Sequence, residues 1–542
     1  MKIVDKNSTG ILTRQALWPL LVATALLSGI ILGNAGAVNT LRETVQRLRG
    51  EAVALTSSSL PVLNADIDFE DYNELLGQRE EALQQGVVFP DPGAFVNADL
   101  RLGETQVPVR IRLLPGPAAH LAVSDKWNYE IVTRDNAQIA GYTRANLIDP
   151  ADNGWLNEWA FSQALRFEGL SAADYQFVRL LLNGDDKGVY ALQEGIGPVT
   201  YDDVGQSEGI VVSYDIEPLL EAIASFGDLE TAAADPLSNI AGLDPRFLQV
   251  AEFEDPLIRE DPALQQQAER ATALLRGLQS GELAASDVFD AEQYGHFLAM
   301  VDLWGADQAL SPINLRYRYN AVADRLEPIA MNGNPFSGDT RLPLAAMYND
   351  PEVQAAYTAA ADRLSVPGYR ESLRMAMEEE YSDNTRSMPA SEQTTDLWSM
   401  LAHRQEQLRL SLHPLQPVIA QLGSPTLAQD AVIRVNVANA LNVPLEILGF
   451  DIDGATFLDA NPDWIVAGHT YLQPGTDRLL LRPVDDNGGL GFVTFDLPLA
   501  EIIGRDKELT FLNEVEIRVA TRVLGLEDTQ LTLAGSGLFD NR

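Results

Sequence analysis

The chain has 542 residues, 46% of them hydrophobic, and can therefore bury roughly two or three cores of ordinary size. It carries 78 acidic against 38 basic residues, a net charge of −40. Because such a surface repels polyanions at long range, we expect no nucleic-acid partner. The absence of cysteine excludes disulfides, a catalytic thiol and cysteine-ligated metal centres.

The first residues predict a membrane anchor. Ala16–Val38 is uncharged and largely apolar, long enough for the roughly 20 residues that cross a bilayer. Lys2, Lys6 and Arg14 precede it, which favours a cytoplasmic N-terminus. These features predict a single-pass protein of the inner (cytoplasmic) membrane, with its soluble part outside the cytoplasm, in the periplasm. A cleaved signal peptide is the alternative, because Ala35-Gly36-Ala37 suits a cleavage site.

Residues 39–90 follow as a predicted helical stalk and linker. Apolar residues from Val38 to Leu55 recur at alternating spacings of three and four, which is typical of a short coiled coil. This pattern predicts a stalk and a possible homodimer. A single amphipathic helix lying on the next domain is the alternative. Asp68–Gln85 predicts a further helix.

Residues 91–200 predict a sheet interrupted by one helix. Apolar and polar residues alternate in the strand segments, and Leu156–Phe167 places its apolar residues on one helical face. Asn183-Gly184 favours a tight hairpin turn, because both residues tolerate positive φ. The predicted strands are Val96–Leu102, Val107–Leu113, Trp127–Ile131, Phe177–Leu182 and Val189–Gln193.

The remainder of the chain divides into two regions with different sequence patterns. Residues 201–424 are predicted to be mainly helical. From about Leu427, short alternating runs such as Ile433–Val437 are separated by Gly, Pro, Asn and Asp. This pattern predicts an antiparallel, sandwich-like domain at 425–542, more suited to packing or recognition than to catalysis.

Phe297–Pro335 carries the most informative motif. A helix leads to Asp307, a loop to Asn314, and two predicted strands end at Asn332. This order resembles the core of the spore-coat-protein-H (CotH) kinase family, with its loop Asp, its strand Asn and a final Asp-x-Asp. Asn183–Glu194 similarly resembles the family's Asn-Gly…Gly-x-Tyr…Glu signature. The resemblance covers about residues 94–335.

The resemblance implies a fold class and an activity. The fold is α+β: a two-lobed atypical protein-kinase-like fold, with a small lobe at 91–200 and a large lobe at 201–424. A C-terminal β-sandwich-like domain and an N-terminal transmembrane helix are added to it. The implied activity is ATP-dependent phosphorylation of protein hydroxyls, with ATP and Mg²⁺ as cofactors.

The implied site residues fall into three groups. Asp307 and Asn314 match the catalytic positions, and Asn332 and Asn334 replace both metal-binding aspartates. Asp339 is a candidate substitute ligand for the metal. The candidate nucleotide-binding residues are Lys126, held by the carboxylate of Glu158, and Glu194.

Neutral amides are poor ligands for hard divalent cations, so two hypotheses stay open. The first is an envelope-anchored CotH kinase-like protein whose activity is weak or lost, in effect a pseudokinase. The second is a non-catalytic envelope scaffold that holds an envelope protein with the old cleft and the β-domain.

Overall fold

The computed structural model describes residues 60–536, apart from a set of internal gaps. The gaps are 124, 136, 202–206, 226–247, 254, 339–349, 390–395, 424–431, 469, 473–477, 485–488 and 499–514. The chain forms two compact units, Pro61–Glu378 with Asp396–Arg542, and Met1–Leu60 with Glu379–Thr395. The second unit is described only at Leu60 and 379–389.

A closed seven-stranded barrel forms the first part of this unit, with strand order β1-β3-β4-β6-β7-β9-β8. Along β1 and β3 buried and more exposed residues alternate, as in a sheet with one core-facing side, whereas β6 and β7 are buried at almost every position. β2 and β5 instead form a small two-stranded sheet. The strands are β1 (Val62–Asp66), β2 (Val87–Val88), β3 (Val96–Leu102), β4 (Thr105–Leu113), β5 (Gly116–Pro117), β6 (Tyr129–Thr133), β7 (Arg144–Ile148), β8 (Tyr175–Leu182) and β9 (Asp185–Glu194).

The barrel closes where β1 pairs in parallel with β8, with Leu63 opposite Leu180, and antiparallel with β3. Both leucines are buried in the barrel core. Three helices accompany the barrel: α1 (Phe69–Gln85), α2 (Ala119–Val123) and α3 (Leu156–Phe167). The hairpin of β8 and β9 turns at Asn183 and Gly184, whose φ angles are 48° and 83°, as the sequence predicts.

The prediction of a two-lobed, kinase-like fold is therefore wrong, because the chain forms a closed barrel followed by further sheets. The five predicted strands are present, but β1 and β7 join them and close the sheet into a barrel. β7 lies between β6 and β9, and β1 lies between β3 and β8. Both are short strands without a clean apolar alternation, which is why periodicity does not reveal them.

A four-stranded sheet with helices around it follows, in the order β10-β11-β12-β13. Its strands are β10 (Val199–Tyr201), β11 (Ser207–Ser213), β12 (Arg316–Asn320) and β13 (Arg325–Ile329). The helices are α4 (Glu217–Ala224), α5 (Pro256–Glu260), α6 (Pro262–Ser280), α7 (Ala285–Val288), α8 (Ala291–Trp304), α9 (Pro351–Leu364), α10 (Pro367–Ser387) and α11 (Leu397–Leu412).

Two further sheets occupy the C-terminal part, in the orders β18-β21-β15-β14-β24 and β19-β20-β16-β22-β23, with β17 paired to β16. Phe450 of one sheet meets Phe495 of the other edge to face, 5.3 Å between ring centroids. The strands are β14 (Val418–Leu422), β15 (Val432–Asn439), β16 (Leu445–Ile452), β17 (Thr456–Asp459), β18 (Ile465–Ala467), β19 (Thr470–Leu472), β20 (Leu479–Leu481), β21 (Val493–Pro498), β22 (Ile517–Val523), β23 (Thr529–Leu533) and β24 (Gly535–Ser536).

The membrane predictions also need correction. Throughout the described residues, no helix combines the length and the apolar character needed to cross a bilayer. The anchor expected at Ala16–Val38 and the part of the stalk and linker of 39–90 that precedes Leu60 lie outside the described residues. The absence of such a helix from the described residues goes against the predicted transmembrane helix, membrane partner and single-pass inner-membrane location, and none of the three is proposed again.

Candidate functional site

The loop that follows β13 has an unusual backbone. Asn332, Asn334 and Phe336 have φ angles of 50°, 47° and 64°, in the left-handed region that asparagine tolerates better than most residues. Left-handed residues that alternate with others can turn successive N–H groups toward one side, which makes a concave anion-binding nest. Pro335 has no N–H and ends that series.

The carboxylate of Glu158 occupies this nest. Its Oε1 accepts from the Gly333 N–H at 3.0 Å, and its Oε2 accepts from the Asn334 N–H at 2.9 Å. Glu158 lies in the first turn of α3 and is 2% exposed. Burial raises the pKa of Glu158 to about 7, although the hydrogen bonds from the loop backbone oppose that rise. A Cβ at position 333 would lie 2.9 Å from the Phe161 ring, so glycine lets the loop approach α3.

Asn314 connects this loop to the segment that carries Asp307. Its Nδ2 donates to the carbonyls of Gln308, at 2.9 Å, and Asn332, at 3.2 Å. The Asn332 side chain donates back to Asn314 Oδ1 at 3.4 Å. The Asp307 carboxylate lies against Gly338, where an added Cβ would be 2.4 Å from its Cγ. The structure thus brings Asp307, Asn314 and Asn332 into one region.

Lys126 lies on the barrel side of the same region. Its Nζ makes an ion pair with Asp149 at 3.3 Å and donates to the Val189 carbonyl at 2.9 Å. It also lies over the rings of Trp155 and Tyr190, 5.8 Å and 5.3 Å from their centroids. The sequence-based pairing of Lys126 with Glu158 is replaced by the pair with Asp149.

Four polar residues that sequence reasoning missed join Lys126 to the loop. The Asn128 side chain accepts from the Asp149 N–H and donates to Asp152, both at 2.8 Å. Asn153 Nδ2 donates to Asn332 Oδ1 at 3.4 Å. Asp149 caps the turn Pro150–Asn153 by accepting from the Ala151 N–H. The Asp149-Pro150 pair, an N-cap followed by proline, was the available sequence signal for this turn.

Glu194 lies elsewhere. It ends β9, accepts from the Asp174 N–H at 3.2 Å, and its pKa is raised by burial. Its side chain belongs to the wall of a separate cavity that neither the loop residues nor Lys126 line. Among the predicted nucleotide-binding residues, Glu194 is thus the one placed apart from the others.

The residues present do not fit a Mg²⁺ ion. Asn332 and Asn334 offer neutral amides, whereas hard cations select anionic oxygens. The nearby carboxylate of Glu158 already accepts backbone hydrogen bonds with both oxygens. In the part of the chain that the structure describes, no three His, Cys, Asp or Glu side chains are grouped to hold a metal. Asp339, the predicted substitute, lies outside that part.

No protein-family model matches this chain, and no curated protein matches it either. The CotH-like assignment therefore rests on the quoted motifs alone and stays a prediction.

Proposed function

We propose that this chain is a CotH kinase-like protein in which ATP-dependent phosphoryl transfer is weak or lost. Its site would bind a nucleotide or a partner without efficient chemistry. The main support is the loop after β13. In the family this loop would bear metal-binding aspartates, but here it bears Asn332 and Asn334. The N–H groups of that loop bind Glu158.

Two physical arguments support the loss of transfer. Phosphoryl transfer depends mainly on electrostatic stabilisation of the moving group, and the amides at 332 and 334 add no charge to it. The second argument concerns the energetic cost of placing aspartates at positions 332 and 334. Two aspartates beside the buried carboxylate of Glu158 would repel it, so the surroundings now favour the amides.

A direct test compares the natural chain with the double variant Asn332→Asp, Asn334→Asp. Isothermal titration with Mg·ATP measures binding, and incorporation of labelled γ-phosphate measures transfer. We expect background transfer from the natural chain and stronger, Mg²⁺-dependent nucleotide binding by the double variant. Asn73→Asp, on an exposed position of α1, controls for added negative charge.

Robust autophosphorylation by the natural chain would contradict the proposal. If neither the natural chain nor the double variant binds Mg·ATP, the second candidate function takes its place. That candidate is a non-catalytic scaffold that holds a protein partner. Leu531 and Leu533 of β23 favour it, because both side chains are exposed on one face of the strand, at 54% and 52%.

A further inference from the structure

A cavity of about 880 Å³ lies beside the segment that leaves the barrel. Its walls come from β6 and β7, from Gly195–Val199, from β11 and from the chain between Ala251 and Pro256. This volume falls within the range of about 300–1,000 Å³ that is usual for small-molecule sites. The Glu158 nest and Lys126 are not part of it.

Four arginines line this cavity in a chain whose net charge is −40: Arg110, Arg144, Arg166 and Arg316. Two of them have carboxylate partners. Arg166 pairs with Asp174 at 2.5 Å, and Arg144 pairs through Nη1 with Glu130 at 2.7 Å. Asp174 balances the charge of Arg166, whereas Glu130 is shared between Arg144 and Arg112.

Arg316 and Arg110 are not balanced in this way. Arg316 uses Nη1 to donate to the carbonyls of Ile313 and Leu315, at 2.9 Å and 2.8 Å. Within the described ranges, its Nε and Nη2 have no acceptor, and neither arginine has an ion-pair partner. Arg110 is exposed and lies over the Phe95 ring, 5.2 Å from its centroid. Burial lowers the pKa of Arg316 to about 10, against the attraction of Glu130, so its guanidinium is still charged near neutral pH.

The acidic groups on the cavity wall are mostly committed to the protein. Asp174 pairs with Arg166, and Asp255 accepts from the Leu257 N–H at the start of α5. Burial raises the pKa of Glu194, which also accepts from the Asp174 N–H. Glu252 is exposed. The wall thus holds four acidic and four basic side chains, and its donors without an ion-pair partner among the described residues are those of Arg316 and Arg110.

Two glycines bring one of the arginines against the wall. A Cβ at Gly195 would lie 2.7 Å from Arg144 Cγ, and one at Gly197 would lie 3.1 Å from Arg144 Nε. The sequence Gly195-x-Gly197 is therefore explained by packing around this guanidinium, which remains half-exposed at 32%.

We infer that this cavity binds a small molecule through an oxyanion group, a carboxylate or a phosphate, with Arg316 and Arg110 as the principal contacts. The planar guanidinium fork matches both groups in bidentate fashion. The inference goes beyond the proposed function and does not depend on it, because the two sites share no residue.

The test is isothermal titration of the full chain with pyrophosphate and, separately, with citrate, at low ionic strength and with EDTA present. We expect saturable binding of at least one probe, and the tighter probe identifies phosphate or carboxylate as the preferred group. Arg316→Gln and Arg110→Gln should each weaken binding by about tenfold or more, since each removes a charged donor. Arg270→Gln is the matched control, because Arg270 is an exposed arginine paired with Asp324 outside the cavity.

Absence of saturable binding by both probes would overturn the inference, as would binding that survives Arg316→Gln unchanged. If Arg316→Gln does not fold, the titration of Arg110→Gln tests the inference instead. The Arg110 side chain is exposed and, in the described structure, its recorded contact is with Phe95, so its replacement should leave the fold intact. Since these titrations contain no divalent cation, their failure leaves the Mg·ATP test of the proposed function unaffected.

Discussion

Glu158 should make the stability of this protein depend on pH. Its ordinary pKa is 4.5, and burial raises the folded-state pKa to about 7. A raised folded pKa means that the group's contribution to stability is fully present below pH 4.5 and is lost as the pH rises through 7. The loss reaches about 1.4 kcal/mol per pH unit, so about 3 kcal/mol disappears across that window.

The assay is denaturant unfolding followed by tryptophan fluorescence, for the natural chain and for Glu158→Gln, at intervals from pH 4 to pH 8. Glutamine does not titrate, so the difference between the two unfolding free energies isolates the carboxyl group. As the pH rises from 4 to 8, we expect the natural chain to lose about 3 kcal/mol of unfolding free energy relative to Glu158→Gln. Glu70→Gln, an exposed glutamate of α1, is the control for removing a carboxylate. Parallel curves for the natural chain and Glu158→Gln would refute the reasoning.

Three further predictions concern packing and charge. Tyr357→Phe removes the hydroxyl that donates to buried Asp302 at 2.5 Å; the pKa of Asp302, already raised to about 6 by burial, should rise further. Chemical denaturation should show a loss of about 1–3 kcal/mol, and an unchanged midpoint would count against this. Gly295→Ala places a Cβ 2.5 Å from the Tyr357 backbone nitrogen and should cost about 1–3 kcal/mol by forcing α8 from α9; an unchanged melting temperature would contradict it. Asn332→Asp with Asn334→Asp should lower the melting temperature at pH 8 by repulsion with the Glu158 carboxylate, and Mg²⁺ should restore it; no recovery with Mg²⁺ would argue against a latent metal site.

Local pattern predicted the local elements well. The helix expected at 154–168 spans Leu156–Phe167 in the structure, and the strand expected at Val96–Leu102 has those bounds. In the strand, periodicity and burial agree, whereas in the helix Asn157, Glu158 and Ser162 are buried and Phe167 is 45% exposed. β1 and β7 were missed because their evidence lies in distant partners rather than in their own residues. Such strands can be identified only from the strands with which they pair, which are distant in the sequence.

The motif grouped Asp307, Asn314 and Asn332, and in the structure Asn314 bonds to Asn332 and to Gln308, the neighbour of Asp307. The motif did not show that Lys126 binds Asp149. Nor did it show that Glu158 binds backbone N–H groups. That second contact depends on left-handed φ angles at Asn332 and Asn334. Asparagine permits such angles without requiring them, so the side chains alone do not reveal the nest.

Closure of the barrel sets an order on how the chain can fold during synthesis. β1 needs β8, because Leu63 pairs with Leu180, and the ribosome adds only about 5–20 residues per second. The first strand thus waits for several seconds with one edge open, while β3 and β4 can already pair as a local hairpin. β1 is short and carries Asn64 and Asp66 beside its apolar residues, features that limit wrong pairing at an open edge. Because β1 is short, it shows no clear periodicity in the sequence. The same shortness limits wrong strand pairing in the nascent chain until β8 has been synthesised.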